Sequence, residues 1–156
     1  MTNKVNPIPE NYHTITPTLI VPDTDRAVEF YQSAFGVEVL EIVPNPSGKN
    51  TRAVLKMRDS VFIIHHESPQ MNYFPPQQDR PLSSYFCVFV EDVDAVFEQA
   101  VAAGAKVLLP VEDKYWGDRY GKLRDPFGHE WGLATRISNL TPQELRKNYA
   151  EMVARK

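Results

Sequence analysis

Apolar and polar residues alternate along the chain with two different periods, and the pattern near the N-terminus predicts a strand, a helix and a further strand. Between residues 24 and 34, apolar side chains recur at the spacing of one helical face. Thr24 or Asp25 is the expected cap of the first turn, and Gly36 is the expected end because glycine tolerates a positive φ. The flanking strands, bounded by prolines, are predicted over 15–21 and 37–43.

The second half of the chain repeats this order. The predicted elements are a strand over 85–90, a helix from Val93 to Gly104, and a strand over 105–109 that Pro110 stops. The segment 90–94 lies 69 positions after the similar segment 21–25. An Arg-Asp pair marks a predicted hairpin turn in each half, at 58–59 and at 124–125. Three matched landmarks in the same order predict two βαβββ modules.

The whole chain, 1–156, is predicted to form a single domain with two segments outside the modules. Four prolines deny the linker regular structure, and its apolar residues either cover a pocket or attach the linker to the core. Thr141 and Glu144 form a capping-box pattern, and the apolar stripe of the helix that follows must dock on its own domain or across a subunit interface. The predicted boundaries are module one about 13–67, linker 68–84, module two about 85–135 and C-terminal helix 141–155.

Composition narrows the class of function. The chain has 156 residues, 24% of them charged, and a formal net charge of −3. It therefore lacks the basic surface that nucleic acid or anionic lipid requires. The sequence contains no recognisable signal peptide and no apolar run of about 20 residues, and its one cysteine, Cys87, allows no internal disulfide. We therefore predict a cytoplasmic protein that binds neither nucleic acid nor a membrane.

Three motifs resemble a known superfamily. Residues 21–36 read Val-Pro-Asp-x-x-x-Ala-x-x-Phe-Tyr-x-x-x-Phe-Gly, while 116–121 and 125–131 read Trp-Gly-Asp-Arg-Tyr-Gly and Asp-Pro-Phe-Gly-His-Glu-Trp. The first resembles the opening signature of the vicinal oxygen chelate superfamily, which includes glyoxalase I, extradiol dioxygenases and bleomycin-resistance proteins. The other two resemble its PhnB-like, glyoxalase/bleomycin-resistance branch. The resemblance implies an α+β fold in which paired βαβββ modules form a half-open barrel around a cavity, here with an extra C-terminal helix, and it implies a homodimer.

The resemblance also implies where a metal would bind. Enzymes of the superfamily carry His, Glu or Gln at inward positions on the first and last strand of each module, and these side chains bind Fe, Mn, Ni or Zn. Counting from the shared motifs places these positions at Thr16, Ile64, Tyr85 and Gly132. None of the four supplies the expected imidazole or carboxylate. We therefore predict that the usual metal site is absent and that the protein uses no cofactor.

Histidines at other positions offer an alternative. If Ile64 faces the cavity, the period-two alternation of a strand turns His66 inward and His65 outward, and Glu130 shares a face with Gly132. His66 and Glu130 are then candidates for a displaced site holding Zn, Ni, Mn or Fe, and His66 is a candidate general base. Otherwise both are polar residues of the cavity wall or rim.

The same alternation lines the implied cavity with apolar and aromatic side chains. Such a lining is typical of a small-molecule pocket, although similar side chains also fill barrels. In the predicted loop 115–120, aromatic rings would stack on a planar ligand while Arg119 binds an anionic group, unless Asp118 holds Arg119 in an internal salt bridge. The candidate ligand-binding residues are Thr16, Thr18, Phe62, Ile64, His66, Tyr85, Cys87, Phe89, Trp116, Arg119, Tyr120, Glu130 and Gly132.

Two functions follow from these observations. The first is a homodimeric, metal-free protein that binds a small hydrophobic or aromatic compound, for example as a sequestering resistance protein. The alternative is an enzyme of the same superfamily, either a metal-dependent lyase, isomerase or dioxygenase with a displaced metal site, or a metal-free enzyme that uses His66 as a base. The missing imidazole and carboxylate groups favour the first.

Overall fold

The computed structural model describes residues 5–155, in which two modules follow one another along the chain. Each module consists of a strand, a helix and three further strands. The first contains β1 Thr18–Val21, α1 Thr24–Phe35, β2 Glu38–Pro44, β3 Asn50–Met57 and β4 Ser60–His66. The second contains β5 Phe86–Phe89, α2 Val93–Ala102, β6 Lys106–Asp113, β7 Asp118–Arg124 and β8 Glu130–Arg136, and α3 Pro142–Ala154 follows it.

The chain divides into two compact units, of which the first ends at Arg80 and the second begins at Pro81. Each unit contains one four-stranded mixed sheet, with the strand order β1-β4-β3-β2 in the first and β5-β8-β7-β6 in the second. The first and last strands of each module are parallel neighbours, and the other neighbours are antiparallel. A parallel pair needs a crossover connection, which places the helix on one face of the sheet. The arrangement confirms the α+β class and the two βαβββ modules.

Helix α1 packs its apolar face against the first sheet. The side chains of Ala27, Tyr31 and Ala34 are completely buried. The Tyr31 ring meets the Phe62 ring of β4 edge to face, with 5.4 Å between the ring centroids. Phe62 therefore points from the sheet toward the helix.

The ends of α1 follow from two residues that satisfy its free backbone groups. Asp23 caps the start, because its carboxylate accepts a hydrogen bond from the Arg26 amide at 3.0 Å. The prediction of Thr24 or Asp25 as the cap is therefore wrong by one or two positions, and both lie within the first turn. Gly36 ends the helix as predicted, with a φ of 64°.

Helix α2 packs on the second sheet in the same way. Val93 and Ala100 are buried, and the Phe97 ring lies directly over Gly121 of β7. A Cβ atom at position 121 would lie 2.6 Å from Cε2 of Phe97, so only glycine allows this approach. The helix face of the second sheet therefore contains Gly121.

The first strand is shorter than predicted. We expected it over 15–21, but β1 begins at Thr18. The Thr16 hydroxyl donates a hydrogen bond to the His13 carbonyl oxygen at 3.0 Å, and Pro17 has no amide hydrogen to donate to a sheet. The residues before Thr18 therefore form a local turn.

Strand β6 is longer than predicted. We expected Pro110 to end a strand over 105–109, but β6 continues to Asp113. It lies at the edge of its sheet, and its pairing with β7 shifts between Leu109 and Glu112. At an edge, the missing proline N–H removes no hydrogen bond from the ladder.

The structure confirms the two predicted hairpin turns and shows that the predicted loop 115–120 is partly a strand. Arg58 and Asp59 join β3 to β4, and residues 125–129 join β7 to β8, as the two Arg-Asp pairs indicated. The segment 115–120 is not a loop throughout, because β7 begins at Asp118 and only 114–117 form the turn after β6.

The segments outside the modules hold two short features. The linker contains a single 3-10 turn, Pro69–Met71, and is otherwise irregular as predicted. The capping box of α3 is confirmed, because the Thr141 hydroxyl accepts from the Glu144 amide at 3.3 Å and the Glu144 carboxylate accepts from the Thr141 amide at 2.7 Å. Among residues 5–155, no helix is long and apolar enough to span a membrane.

Candidate functional site

The pairing of β1 with β4 determines which residues share a face of the first sheet. Thr18 lies opposite Ile63, so these two side chains share the face turned away from α1, which we call the open face. Phe62 contacts Tyr31 of α1, and Ile64 is completely buried on the same helix side. The prediction that Phe62 and Ile64 line a cavity together with Thr18 is therefore wrong.

The error comes from one residue in a hairpin. Six residues lie between the paired Leu55 and Phe62 of the first sheet, whereas seven lie between the equivalent Leu123 and Trp131 of the second. The offset between the modules is therefore 69 after the turn instead of 68, and the counterpart of Gly132 is Ile63 instead of Ile64. A shift of one residue moves a strand side chain to the opposite face of the sheet.

The same correction reverses the predicted directions of His65 and His66. His65 lies opposite Arg52 on the open face, and its ring stands 5.3 Å from the Tyr73 ring. Burial and the nearby Arg52 charge lower the pKa of His65. His66 points to the helix side, where its Nε2 atom accepts a hydrogen bond from the Lys49 ammonium at 2.9 Å. The Nε2 atom of His66 is therefore already engaged, and its Nδ1 atom is buried.

The open face of the first sheet carries charged groups beside the apolar side chains of Ile20, Val54, Val61 and Ile63. Arg52 forms an ion pair with Glu41 at 2.8 Å, and this hydrogen bond raises the pKa of Arg52. Lys56 donates to the side-chain oxygen of Asn11 at 3.0 Å. The candidate Thr16 lies before β1, with its hydroxyl engaged in the local turn. Among residues 5–80, Thr18 is therefore the only predicted ligand-binding residue that the sheet places on the open face.

The open face of the second sheet brings several predicted residues together. Cys87 pairs with Gly132, so the two residues share one face of the sheet. Alternation adds Phe89 of β5 and Tyr85, which directly precedes β5. Tyr85 is 49% exposed and Phe89 is 55% exposed. An apolar strip therefore lies along the edge strand of this sheet.

Cys87 lies on this strip with an exposed side chain. Partial burial and the Asp118 carboxylate raise the pKa of its thiol. The group is therefore a protonated thiol at neutral pH, and it contributes surface instead of a nucleophile.

Gly132 is the position where the resembling enzymes carry a metal-binding carboxylate, and here the Tyr120 ring fills that space. A Cβ atom at position 132 would lie 2.6 Å from the Tyr120 hydroxyl oxygen and 3.0 Å from Cζ. Burial and a hydrogen bond with Tyr85 raise the pKa of Tyr120, so its hydroxyl keeps its proton. A longer side chain at position 132 requires Tyr120 to move.

A buried charge cluster adjoins this tyrosine pair. Glu130 is 6% exposed, and its two carboxylate oxygens pair separately with the Lys122 ammonium and the Arg124 guanidinium. Burial favours a raised pKa of Glu130, but the hydrogen bonds from Arg124 and Lys122 outweigh it and lower the pKa. The Lys122 ammonium also lies over the Tyr85 ring, 4.3 Å from its centroid. We call Glu130, Lys122 and Arg124 the Glu130 cluster.

Sequence reasoning missed Lys122 and Arg124. Both alternate with Tyr120 along β7, and that spacing places the three side chains on one face. The alternation that would have identified them is therefore present in the sequence.

Arg119 does not reach the open face. Its guanidinium forms two hydrogen bonds with the Asp94 carboxylate of α2, at 2.6 and 2.7 Å, and a third with Asp113 at 2.9 Å. The hydrogen bonds that Arg119 donates to Asp94 and Asp113 raise its pKa. Neither predicted role is correct, because Arg119 attaches α2 to the sheet and its partner is not Asp118.

Trp116 and Asp118 shape the β6–β7 turn. The Trp116 indole donates to the Asp118 carboxylate at 2.9 Å, and Arg136 pairs with the other oxygen of Asp118. The Trp116 ring also stands edge to face with Tyr120 at 5.6 Å. Trp116 therefore supports Tyr120 from the side.

The two residues predicted for a displaced metal site are already engaged with cations. Both oxygens of Glu130 carry a cationic partner, and Nε2 of His66 accepts from Lys49. Gly132 offers no donor and no room for one. Within residues 5–155, no three His, Cys, Asp or Glu side chains are grouped closely enough to hold an ion.

Comparisons with known proteins agree with this fold. The family model described as Glyoxalase/Bleomycin resistance protein/Dioxygenase superfamily matches residues 12–133. An uncharacterised protein of Mycobacterium bovis is 36% identical over 135 residues, which are 85% of this chain and 89% of that protein. The crystal structure of TioX from Micromonospora sp. ML1 is 27% identical, covers 80% of this chain and 99% of its own, and has a TM-score of 0.62. A PhnB protein from Bacillus cereus, 21% identical, shares the fold over 79% of this chain and 99% of its own, with a TM-score of 0.61.

Proposed function

This chain belongs to the Glyoxalase/Bleomycin resistance protein/Dioxygenase superfamily, and we propose that it binds a small aromatic or hydrophobic compound on the open face of its second sheet. The proposal rests on one observation: Tyr85, Cys87 and Phe89 expose an apolar strip beside Gly132 and Tyr120. Binding of this kind uses no catalytic metal. A protein that sequesters a toxic compound needs affinity only, and we propose such a resistance role.

The strip offers enough surface for useful affinity. Each 100 Å² of apolar surface removed from water contributes about 2.5 kcal/mol. The half-exposed rings of Tyr85 and Phe89 would lose much of their exposed area beneath a planar ligand. Tyr120 stands behind them with a protonated hydroxyl and adds an uncharged aromatic ring to the floor of the site.

A thermal-shift screen with planar aromatic compounds tests the proposal. A compound present at 100 times its dissociation constant stabilises the protein by about 2.7 kcal/mol. Tyr85→Ala should weaken the shift, because it removes an exposed ring of the strip. Tyr149→Ala is the matched control, since Tyr149 lies on α3 and is 51% exposed. The absence of any shift, or an equal shift in Tyr85→Ala, would contradict the proposal.

Elemental analysis of the purified protein tests the metal-dependent alternative. We expect less than stoichiometric Zn, Ni, Mn and Fe, because Glu130 and His66 are engaged with cationic partners. A stoichiometric metal that is lost in both His66→Ala and Glu130→Gln would instead establish the displaced site. Homodimerisation and a cytoplasmic location stay predictions from the sequence.

A further inference from the structure

We propose that the site on the open face of the second sheet selects flat aromatic compounds over non-planar hydrophobic ones, and that Trp116 is the positioning residue behind this preference. The inference rests on the proposed function and narrows the chemical class of its ligand. Trp116 acts through Tyr120, whose hydroxyl holds the exposed Tyr85 ring in one orientation.

The Tyr85 ring is exposed but held at two points. Its hydroxyl is hydrogen-bonded with that of Tyr120, and the Lys122 ammonium lies 4.3 Å from the centroid of its ring. Both partners belong to β7, so Tyr85 is tied across β8 to the third strand of the sheet. A ring held in this way does not turn aside to fit a thick, saturated ring system, whereas a flat compound needs no such movement.

Tyr120 carries this arrangement across the sheet. Its ring extends from β7 over Gly132 of β8, where a Cβ atom would lie 2.8 Å from its Cε2 atom. Tyr120 itself is only 6% exposed. A rotation of its ring would move the hydroxyl that Tyr85 contacts, so the orientation of Tyr85 depends on what holds Tyr120.

Trp116 holds Tyr120 from the side. The two ring centroids are 5.6 Å apart and the ring planes meet at 68°, which is an edge-to-face contact. The indole is itself fixed at its polar end, because its N–H donates to the Asp118 carboxylate at 2.9 Å and Arg136 pairs with the other oxygen. Asp118 is 4% exposed, so little water competes for this charge-assisted hydrogen bond. The fixed turn therefore restrains the ring on which a ligand would rest.

A flat compound and its saturated counterpart test the preference on the purified full chain. The probes are 2-naphthol and decahydro-2-naphthol, which share a carbon skeleton and a hydroxyl group, and calorimetry measures their dissociation constants. We expect 2-naphthol to bind about tenfold more tightly, as the gain from an aromatic ring pair allows.

The two tryptophans of the chain provide a matched pair of substitutions. Trp131 also donates its indole N–H to a carboxylate, that of Asp125, at 2.9 Å, but it lies on the helix side of the sheet. Trp116→Phe should lower the preference for 2-naphthol to about threefold or less, because the Tyr120 ring loses the fixed indole beside it. Trp131→Phe should leave the preference unchanged, even where it lowers stability.

The ratio of the two dissociation constants isolates the positioning role, because a general loss of structure would weaken both compounds alike. The effect of Trp116→Phe on this ratio should disappear in a Tyr120→Leu background, since Trp116 acts through that ring. An effect that persists there would overturn the inference.

The outcomes separate this inference from the proposed function. Equal binding of the two probes, with both weakened in Tyr85→Ala, would overturn the inference and leave the proposed function standing. A preference that is unchanged in Trp116→Phe, or that falls equally in Trp131→Phe, would overturn it as well, and so would a panel of aromatic compounds that binds while 2-naphthol does not. If neither the two probes nor the aromatic panel binds, the proposed function itself fails.

Discussion

The two modules share a backbone plan, but their open faces differ. In the first sheet, Arg52 pairs with Glu41, and Tyr73 of the linker stands against His65. In the second sheet, Tyr85 and Phe89 remain about half exposed. The Tyr73 contact therefore supports the hypothesis that the linker attaches to its own unit. The first open face is engaged by its own chain, whereas the second leaves aromatic surface uncovered.

This difference separates the positions that pack the helix on the sheet, which are similar in the two modules, from the positions of the open faces. The helix faces carry the same kind of apolar packing in both modules, with Tyr31 against Phe62 in one and Phe97 against Gly121 in the other. The open faces contribute less to the contact between helix and sheet, so their residues have diverged. A binding site on one open face therefore leaves the contact between helix and sheet on the other face unchanged.

The largest effect is expected where the second open face is most tightly packed. Gly132→Ala places a Cβ atom 2.6 Å from the Tyr120 hydroxyl oxygen, and we expect the free energy of unfolding to fall by about 1–3 kcal/mol. Urea unfolding followed by circular dichroism measures the loss. The double variant with Tyr120→Leu should lose less than the sum of the two single variants, because the close contact is gone. Additive losses would show that the Tyr120 ring is not the cause.

Most of the fold could be predicted from the sequence features that the two modules share. Gly36 and the two Arg-Asp pairs mark element ends by local conformational preference, which a single sequence displays directly. The face of β4 was mispredicted because the β7–β8 hairpin contains one residue more between equivalent pairs than the β3–β4 hairpin. This difference leaves no periodic signal and still inverts every side chain beyond it.

The site was harder to predict than the fold, because its contacts join distant residues. Arg119 donates hydrogen bonds to Asp94 on α2, 25 positions earlier, and no local sequence pattern predicts that partner. Lys122 is the exception, since alternation with Tyr120 places it on the open face. Alternation therefore predicts which face a side chain occupies, while the partner on that face depends on packing between elements.

The smaller expected effect concerns the contact between each helix and its sheet. The second residue of the helix is an aspartate in both modules. Asp94 accepts two charge-assisted hydrogen bonds from Arg119, whereas Asp25 accepts one from the neutral Asn50 amide at 2.7 Å. Asp94→Asn should therefore lower the urea midpoint more than the matched variant Asp25→Asn at pH 7.

The pH dependence of that difference identifies its cause. The hydrogen bonds from Arg119 lower the pKa of Asp94 below its ordinary value of 3.8. A carboxylate with a lowered pKa in the folded state contributes its stability above the ordinary value and loses it as the pH falls through the lowered one. The gap between Asp94→Asn and the unsubstituted protein should therefore be full at pH 7 and shrink below about pH 4. A gap that stays constant down to pH 2, or equal losses in the Asp25 and Asp94 variants, would mean that the ion pair adds nothing beyond the neutral contact of the first module.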